Sequence, residues 1–138
     1  MKSNQVLIIG GGLAGLTAAI HLSKIGFQAI LVEKNEFPKH KVCGEYISNE
    51  VLSYMDWLGI NVQELQPTNI ARLQFSTFNG KTINCILPLG GFGVSRYALD
   101  EFLYKKAIKL GCQIISDTAE DIVFENNHFT VSTSKGTV

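Results

Sequence analysis

Three glycines, Gly10, Gly12 and Gly15, have the spacing G-x-G-x-x-G, which suggests the chemistry of phosphate binding. Gly10 allows a tight turn out of a strand, and Gly12 lacks a Cβ, so a pyrophosphate can approach its backbone. Gly15 lets the following helix pack close to the strand. The free N–H groups and the positive dipole end of that helix would then face the phosphates.

The stretches around this turn are those that dinucleotide binding requires. Residues 6–9 form an uninterrupted apolar run, typical of a parallel strand covered on both faces, and residues 28–32 predict the next strand. The helix between them, which Gly26 would end, is predicted from apolar residues at three- and four-residue steps: Leu13, Leu16, Ala19, Ile20 and Leu22. Glu33 follows the second strand, where an acidic side chain accepts hydrogen bonds from an adenosine ribose and repels a 2′-phosphate. The glycine turn, the two strands, the helix and Glu33 together predict a dinucleotide site rather than a plain structural turn.

Composition and charge narrow the class of protein. The 138 residues suffice for one ordinary domain, and the hydrophobic content of 46% indicates a folded globular chain. Lys plus Arg equals Asp plus Glu, at 12 each, so no basic surplus points to nucleic acid or to an anionic membrane. Three cysteines without paired spacing suggest reduced thiols, and the first strand begins too early to leave room for a signal peptide. We therefore expect a cytoplasmic protein with no nucleic-acid partner and no transmembrane segment.

The rest of the chain continues as a mixture of helices and strands after a polar loop over residues 34–41. The predicted elements are, in order, a helix over residues 49–58, a hairpin of residues 72–78 and 82–87, a helix over residues 98–110, a parallel strand over residues 112–115 and a second hairpin of residues 119–124 and 128–133. Ser48 would cap the first of these helices. Asn79-Gly80 would form the turn of the first hairpin, and the glycines of residues 90–93 would interrupt its second strand.

Several side chains have ordinary structural explanations. Asp100 and Glu101 would lie in the first turn of a helix, where the dipole favours acidic residues. The three histidines, His21, His40 and His128, lack metal-ligand spacing, so no metal site is expected. Four phenylalanines are expected in the core: Phe75, Phe78, Phe92 and Phe102.

Three segments together resemble the FAD-dependent oxidoreductases of the glutathione-reductase type, and most closely the branch of the geranylgeranyl reductases and the p-hydroxybenzoate-hydroxylase-like monooxygenases. These segments are residues 10–33, residues 41–45 (Lys-Val-Cys-Gly-Glu) and residues 95–100 (Ser-Arg-Tyr-Ala-Leu-Asp) with the helix after them. The resemblance implies an α/β, Rossmann-like FAD-binding fold with a parallel sheet, a β-meander and the start of an inserted substrate-domain hairpin over about residues 68–92. It spans residues 1–138 as the amino-terminal part of such a domain.

The resemblance also implies which residues bind FAD. Glu33 would hold the adenosine ribose, Cys43 and Gly44 would lie along the flavin half, and Arg96 would contact the pyrophosphate or ribityl region. Ala119 would offer its backbone to the adenine. The full cofactor-binding set is Gly10, Gly12, Leu13, Ala14, Gly15, Glu33, Lys34, Cys43, Gly44, Arg96 and Ala119.

Two of these residues also have plain alternatives from their own chemistry. Cys43 could be a small buried hydrophobe under a loop, and Arg96 could be a surface residue near a helix start. An arginine there suits phosphate contact because its planar fork is always charged. No nucleophile or general base is assigned, because in this branch the flavin ring carries the chemistry.

The family pattern contains further parts that are not in these 138 residues. A parallel strand and a Gly-Asp motif should follow the second hairpin, so we interpret the chain as an amino-terminal fragment in which residues 6–9 form an exposed sheet edge. The leading hypothesis is the FAD-binding part of a reductase of prenyl lipids or a monooxygenase of an aromatic or lipid substrate. NAD(P)H is possible as an external reductant, and the full protein could contact a membrane peripherally. The alternatives are an NAD-dependent dehydrogenase domain and a non-catalytic nucleotide-binding module.

Overall fold

The computed structural model describes residues 4–43 and 45–138, with Thr137 described by its backbone alone. These residues form two compact units. The first unit contains the chain up to Lys39 and the segment Asp100–Val138, and the second unit is His40–Leu99.

A three-stranded parallel sheet forms the centre of the first unit. Its strands are β1 (Gln5–Ile9), β2 (Gln28–Glu33) and β6 (Gln113–Ser116), in the order β1-β2-β6. The side chains from Ala29 to Glu33 are all buried, as expected for the central strand. β1 lies at the edge, where Ile9 is 47% exposed. The predicted parallel sheet with its first strand at the edge is confirmed, although residues 6–8 are half-buried, and β6 begins one residue later than predicted.

The two longest helices are α1 (Leu13–Lys24) and α3 (Arg96–Lys109). α1 packs on β1 and β2. The fully buried apolar side chains of the two helices are Leu16, Ala19, Ile20, Leu99, Leu103 and Ala107. Both helices were predicted from their apolar spacing. Within the described residues, no helix combines the length and the hydropathy that crossing a membrane requires.

The start of α3 differs from the prediction. The Tyr97 N–H donates to Ser95 Oγ over 3.2 Å, so the helix begins at Arg96 rather than near residue 98. Asp100 therefore lies in the second turn, where it is fully buried. The helix-dipole explanation of Asp100 and Glu101 is wrong, because the first turn contains no acidic residue.

A small antiparallel meander completes the first unit. Its strands are β7 (Ala119–Glu125), β8 (His128–Thr133) and β9 (Gly136–Thr137), in that order. Asn126 and Asn127 both have positive φ, at 51° and 63°, as a two-residue turn of type I′ requires. The hairpin and the β-meander are confirmed.

The second unit is built on an antiparallel sheet of β3 (Tyr46–Ser48), β4 (Thr68–Ser76) and β5 (Thr82–Gly93), in the order β3-β5-β4. Its helical segments are the 3₁₀ turns Asn49–Val51 and Val62–Leu65 and the helix α2 (Leu52–Trp57). The helix predicted over residues 49–58 thus begins as a 3₁₀ turn. The Glu50 N–H donates to Ser48 Oγ over 3.4 Å, which confirms Ser48 as the cap.

The predicted interruption at residues 90–93 is wrong, because β5 continues through these glycines to Gly93. Gly91 pairs with Ser48 of β3 on one side and with Ile70 of β4 on the other. A Cβ on Gly91 would lie 2.3 Å from the Tyr46 ring. The glycine run therefore lets three strands approach closely instead of ending one.

Two of the four phenylalanines expected in the core lie outside it. Phe92 is buried, but Phe75 is 66% exposed and Phe78 is fully exposed. Directly paired residues in an antiparallel sheet share a face, so Phe75 lies on the same face as Ile83, which is also exposed. The prediction failed because no other element of the second unit covers this end of the β4–β5 hairpin in the described residues.

Gly15 offers a direct test of the packing between β1 and α1. A Cβ at this position would lie 1.9 Å from the Gly10 carbonyl oxygen, so Gly15→Ala must displace the helix from the turn. We expect Gly15→Ala to lower the free energy of unfolding by about 2–3 kcal/mol, as forced overpacking does. Urea denaturation followed by circular dichroism measures this change.

The matched control is Ala14→Ser, an exposed position one residue away in the same helix, which should change stability by less than about 0.5 kcal/mol. Equal stability of the Gly15→Ala variant and the unmodified chain would contradict the close packing.

Candidate dinucleotide site

The glycine turn joins the end of β1 to the start of α1. Gly10 has a φ of +99°, and its N–H donates to the Val32 carbonyl over 2.8 Å, which anchors the turn to the neighbouring strand. Gly12 is the N-cap residue of α1. Gly12 has no side chain with which to cap the helix, and among the described residues no acidic side chain lies in its first turn. The positive end of α1 is therefore available to an external anion.

Gly11, to which the sequence pattern assigned no role, is also in close contact. A Cβ at this buried position would lie 2.7 Å from the Phe37 ring and 3.0 Å from Glu33 Cβ. The Gly11 N–H donates to Glu33 Oε2 over 2.7 Å. The run of three glycines therefore brings the backbone against the acidic residue as well as opening space for a ligand. Three consecutive glycines were the signal that could have indicated this contact.

Glu33 is buried at the end of β2 and accepts several hydrogen bonds besides that of Gly11. Its Oε1 accepts from the Asn35 backbone N–H over 2.9 Å and from the Asn35 side-chain amide over 2.8 Å. The same oxygen forms an ion pair with Lys39 Nζ at 2.5 Å. The carboxylate is thus held in one orientation by groups from three parts of the chain.

The charge of Glu33 follows from this environment. Burial raises the pKa of the carboxyl, but the Lys39 ammonium and the donors of Asn35 and Gly11 outweigh burial. Together they lower the pKa from its ordinary value of 4.5 to about 2. Glu33 is therefore an anion at neutral pH and can accept hydrogen bonds from ribose hydroxyls.

Four further predicted site residues lie in the first unit. Leu13 and Ala14 form the first turn of α1, and the exposed Lys34 directly follows Glu33. Ala119 is the first residue of β7 and pairs with Thr133.

Cys43 and Arg96 belong to the second unit. Cys43 is exposed, so the alternative that it is a buried hydrophobe is wrong, and its Sγ accepts from the Glu45 N–H over 3.4 Å. Arg96 opens α3, and its backbone N–H donates to Glu45 Oε1 over 3.2 Å. Gly44 lies outside the described residues. The structure therefore brings the glycine turn and Glu33 together, while the roles of Cys43, Gly44 and Arg96 stay predictions.

Asp117 is a buried carboxylate that the sequence pattern did not identify as important. It accepts from the Ser134 hydroxyl, from the Thr118 N–H over 2.7 Å and from the Lys135 N–H over 3.0 Å. The Ser134 and Thr133 hydroxyls hold the pKa of Asp117 well below its usual range. Asp117 thus ties the end of β6 to the turn between β8 and β9. Ser134 lies seventeen residues away along the chain, so no local pattern could reveal this contact.

The residues of the first unit fit a dinucleotide on physical grounds. An uncapped helix end suits a pyrophosphate, and an ionised carboxylate at the end of the adjacent strand suits a ribose. The fold and the site together define a dinucleotide-binding α/β domain. Residues 3–131 match the FAD binding domain family, and the chain belongs to this family. FAD is accordingly its cofactor, which favours the leading hypothesis over an NAD-dependent dehydrogenase.

Individual relatives agree with this assignment. The chain is 48% identical over 136 residues to a flavin-dependent halogenase of Armillaria mellea, covering 93% of the chain and 25% of the relative. It is 27% identical over 133 residues to digeranylgeranylglycerophospholipid reductase 2 of Methanothermobacter thermautotrophicus, covering 87% of the chain and 31% of the relative.

A solved structure of the halogenase PltM in complex with phloroglucinol and FAD superposes with a TM-score of 0.80 at 20% identity, and shows that the fold is shared. The match covers 97% of this chain and 32% of that one. The chain thus spans about a third or less of the length of the relatives that it matches.

The depressed pKa of Glu33 predicts how stability responds to acid. A carboxyl whose pKa is lower in the folded state stabilises the fold fully above its unfolded pKa, and this contribution is lost as the pH falls through the folded pKa. The stabilising contribution of Glu33 is therefore lost as the pH falls from about 4.5 to about 2. A difference of this size corresponds to at most about 3 kcal/mol.

We expect Glu33→Gln to lower the free energy of unfolding at pH 7 and to reduce its dependence on pH below 4.5. Chemical denaturation at a series of pH values measures both effects. Glu36→Gln, at an exposed position in the same loop, is the control and should leave the profile unchanged. Identical profiles for Glu33→Gln and the unmodified chain would refute the proposed electrostatics of Glu33.

Proposed function

We propose that this chain is the FAD-binding part of a flavin-dependent oxidoreductase that acts on an isoprenoid lipid or an aromatic small molecule. The observation that carries the proposal is the ionised, buried Glu33 held against the glycine turn, within a chain that matches the FAD binding domain family over residues 3–131. The choice of substrate class is supported by relatives named as a prenyl-lipid reductase and a halogenase.

Each proposed binding residue has a distinct task. Glu33 accepts hydrogen bonds from the adenosine ribose, and the N-terminus of α1, with Gly10, Gly12, Leu13, Ala14 and Gly15, holds the pyrophosphate. Lys34 and the backbone of Ala119 lie beside the adenosine.

The resemblance to the FAD-dependent oxidoreductases suggests the rest of the proposed contacts. Cys43 and Gly44 lie along the flavin half, and Arg96 binds the pyrophosphate or the ribityl chain. When FAD is bound, its isoalloxazine ring supplies the redox chemistry, so these residues bind and orient. No general base or nucleophile is assigned to the chain.

The finer features of the proposal concern the whole protein. We propose a cytoplasmic enzyme without a nucleic-acid partner, with NAD(P)H as the external reductant and with peripheral membrane contact if its substrate is a lipid. The hairpin over about residues 68–92 begins the inserted substrate domain. The exposed apolar side chains on β4 and β5, such as Phe75 and Ile83, support this because they provide a face for further structure.

A second candidate function is a nucleotide-binding module without turnover. The match to the FAD binding domain family is common to both candidates, because it concerns the cofactor and not the turnover. The visible spectrum of the purified chain with added FAD, followed by an assay of reduction of the bound cofactor by NAD(P)H, separates the two candidates.

Gly12→Val tests the pyrophosphate site. Gly12 has a φ of −79° and a ψ of −174°, an extended conformation that valine adopts readily, so the fold should survive with a cost of less than about 1 kcal/mol. The valine side chain would enter the path of the pyrophosphate, and we expect FAD binding to be lost. Titration by the quenching of flavin fluorescence measures the affinity.

Gly10→Val is the contrasting variant, because φ at Gly10 is +99° and a valine there should destabilise the chain itself. FAD affinity unchanged in a folded Gly12→Val variant, or NADP bound as tightly as FAD by the unmodified chain, would contradict the proposed site.

Arg96→Lys tests the proposed phosphate contact of the second unit. Lysine keeps the charge but loses the planar fork, so we expect FAD binding to weaken by up to about 1.5–3 kcal/mol, the scale of a hydrogen bond to a charged group. Arg72→Lys is the matched control, because Arg72 is the other arginine of the chain and lies exposed on β4. Equal FAD affinities of the unmodified chain, Arg96→Lys and Arg72→Lys in isothermal titration calorimetry would contradict the phosphate contact and make Arg96 a surface residue.

A further inference from the structure

The polar loop that follows β2 brings Lys39 back to the carboxylate of Glu33. We propose that Lys39 is a positioning residue for the dinucleotide: it occupies Glu33 Oε1 and thereby reserves Glu33 Oε2 for a ribose hydroxyl. This inference rests on the proposed FAD binding and specifies how that site recognises the ribose. Lys39 was absent from the predicted site residues because the resemblance lies in the segments on either side of it.

The distribution of donors over the two oxygens is unequal. Oε1 accepts from the backbone and the side chain of Asn35 and is paired with Lys39, whereas the partner described for Oε2 is the Gly11 N–H. A carboxylate oxygen has about two lone-pair positions, so Oε1 is saturated. Oε2 keeps one position for a further donor, and it is the oxygen bound to the glycine turn. A ribose held near that turn would therefore donate to Oε2.

Lys39 is itself held in place. Its Nζ lies 5.2 Å from the centroid of the Phe37 ring, and its side chain is only 15% exposed. Phe37 in turn stacks on Tyr104 at a centroid distance of 4.6 Å and an interplanar angle of 18°. The pair of Lys105 with Glu101, by contrast, has a lysine side chain that is 67% exposed. Lys39 is therefore built into the site, unlike an ordinary surface lysine.

The charges around Glu33 determine what removal of Lys39 would do. Among the described residues, the titratable side chains that line the same cavity of about 280 Å³ are Glu36 and Tyr104, and Asp117 is hydrogen-bonded to the Glu33 backbone through its N–H. Neither Glu36 nor Tyr104 supplies a positive charge. Burial raises the pKa of Glu33, whereas the Asn35 and Gly11 donors lower it, so loss of the Lys39 ammonium moves the pKa upward from about 2. A protonated carboxyl is a weaker acceptor for a ribose hydroxyl, so FAD affinity should fall as the pH is lowered through this raised pKa.

The experiment measures FAD affinity of the full chain by fluorescence titration between about pH 8 and pH 5. We expect the unmodified chain to show a flat profile, because Glu33 stays ionised throughout this range. Lys39→Met should weaken FAD by about tenfold, and its affinity should begin to fall at a higher pH than that of the unmodified chain. Lys39→Arg should restore both the affinity and the flat profile. Lys105→Met, which removes the exposed pair, is the control and should behave as the unmodified chain does.

Two further measurements distinguish this role from one in which Lys39 only stabilises the loop. The Glu33 carboxyl pKa, followed by ¹³C NMR without any ligand, should rise in Lys39→Met and return in Lys39→Arg. In a Glu33→Gln background, Lys39→Met should have no further effect on FAD affinity, because Lys39 acts through Glu33. Should Lys39→Met fail to fold, the more conservative Lys39→Gln removes the same charge and is measured in its place.

The outcomes separate this inference from the proposed function. FAD binding by the unmodified chain, with unchanged affinity and a flat pH profile in the folded Lys39 variant, would overturn the role of Lys39 alone. An additive effect of Lys39→Met in the Glu33→Gln background would overturn it as well. Absence of FAD binding by the unmodified chain would instead reject the proposed function, and the role of Lys39 with it.

Discussion

The arrangement of the first unit depends on one buried negative charge at the end of its central strand. Glu33 is the carboxyl-terminal residue of β2, and its carboxylate joins the glycine turn, the polar loop and the strand through Gly11, Asn35 and Lys39. A buried carboxylate is costly unless it is paired and hydrogen-bonded, so these partners are a condition for burying it. The same partners keep it ionised and fixed before a ligand arrives, which is the preorganisation that ribose binding needs.

Close backbone approach is the second constraint, and it appears in both units. Gly15 lies so near the Gly10 carbonyl that a methyl group cannot fit between them, and Gly91 lies equally close to the Tyr46 ring. In the first case the glycine allows a helix to start immediately above a phosphate-binding turn. In the second it allows three strands to meet. Glycine runs in this chain therefore mark contacts between elements as often as ends of elements.

Family membership and the geometry support each other at different levels. The match to the FAD binding domain family establishes the cofactor class, and the solved structure with a TM-score of 0.80 establishes the fold. The geometry adds atomic detail: α1 begins at a glycine, and within the described residues Glu33 Oε2 accepts from the Gly11 N–H. The chain covers about a third or less of the length of these relatives, so their substrates and reactions are not carried over to it as findings.

The sequence by itself determined the parallel strands, the two long helices, the glycine turn, the second hairpin and Glu33, because these depend on local periodicity and on residues at short, fixed spacings. Tertiary structure alone decided the partners of Glu33 and Asp117, the exposure of Phe75 and the continuation of β5 through its glycines. Each of these depends on what another part of the chain places beside the residue. Lys39 shows the difference most clearly, because it is one of ten lysines in the sequence and only the folded loop puts it 2.5 Å from Glu33.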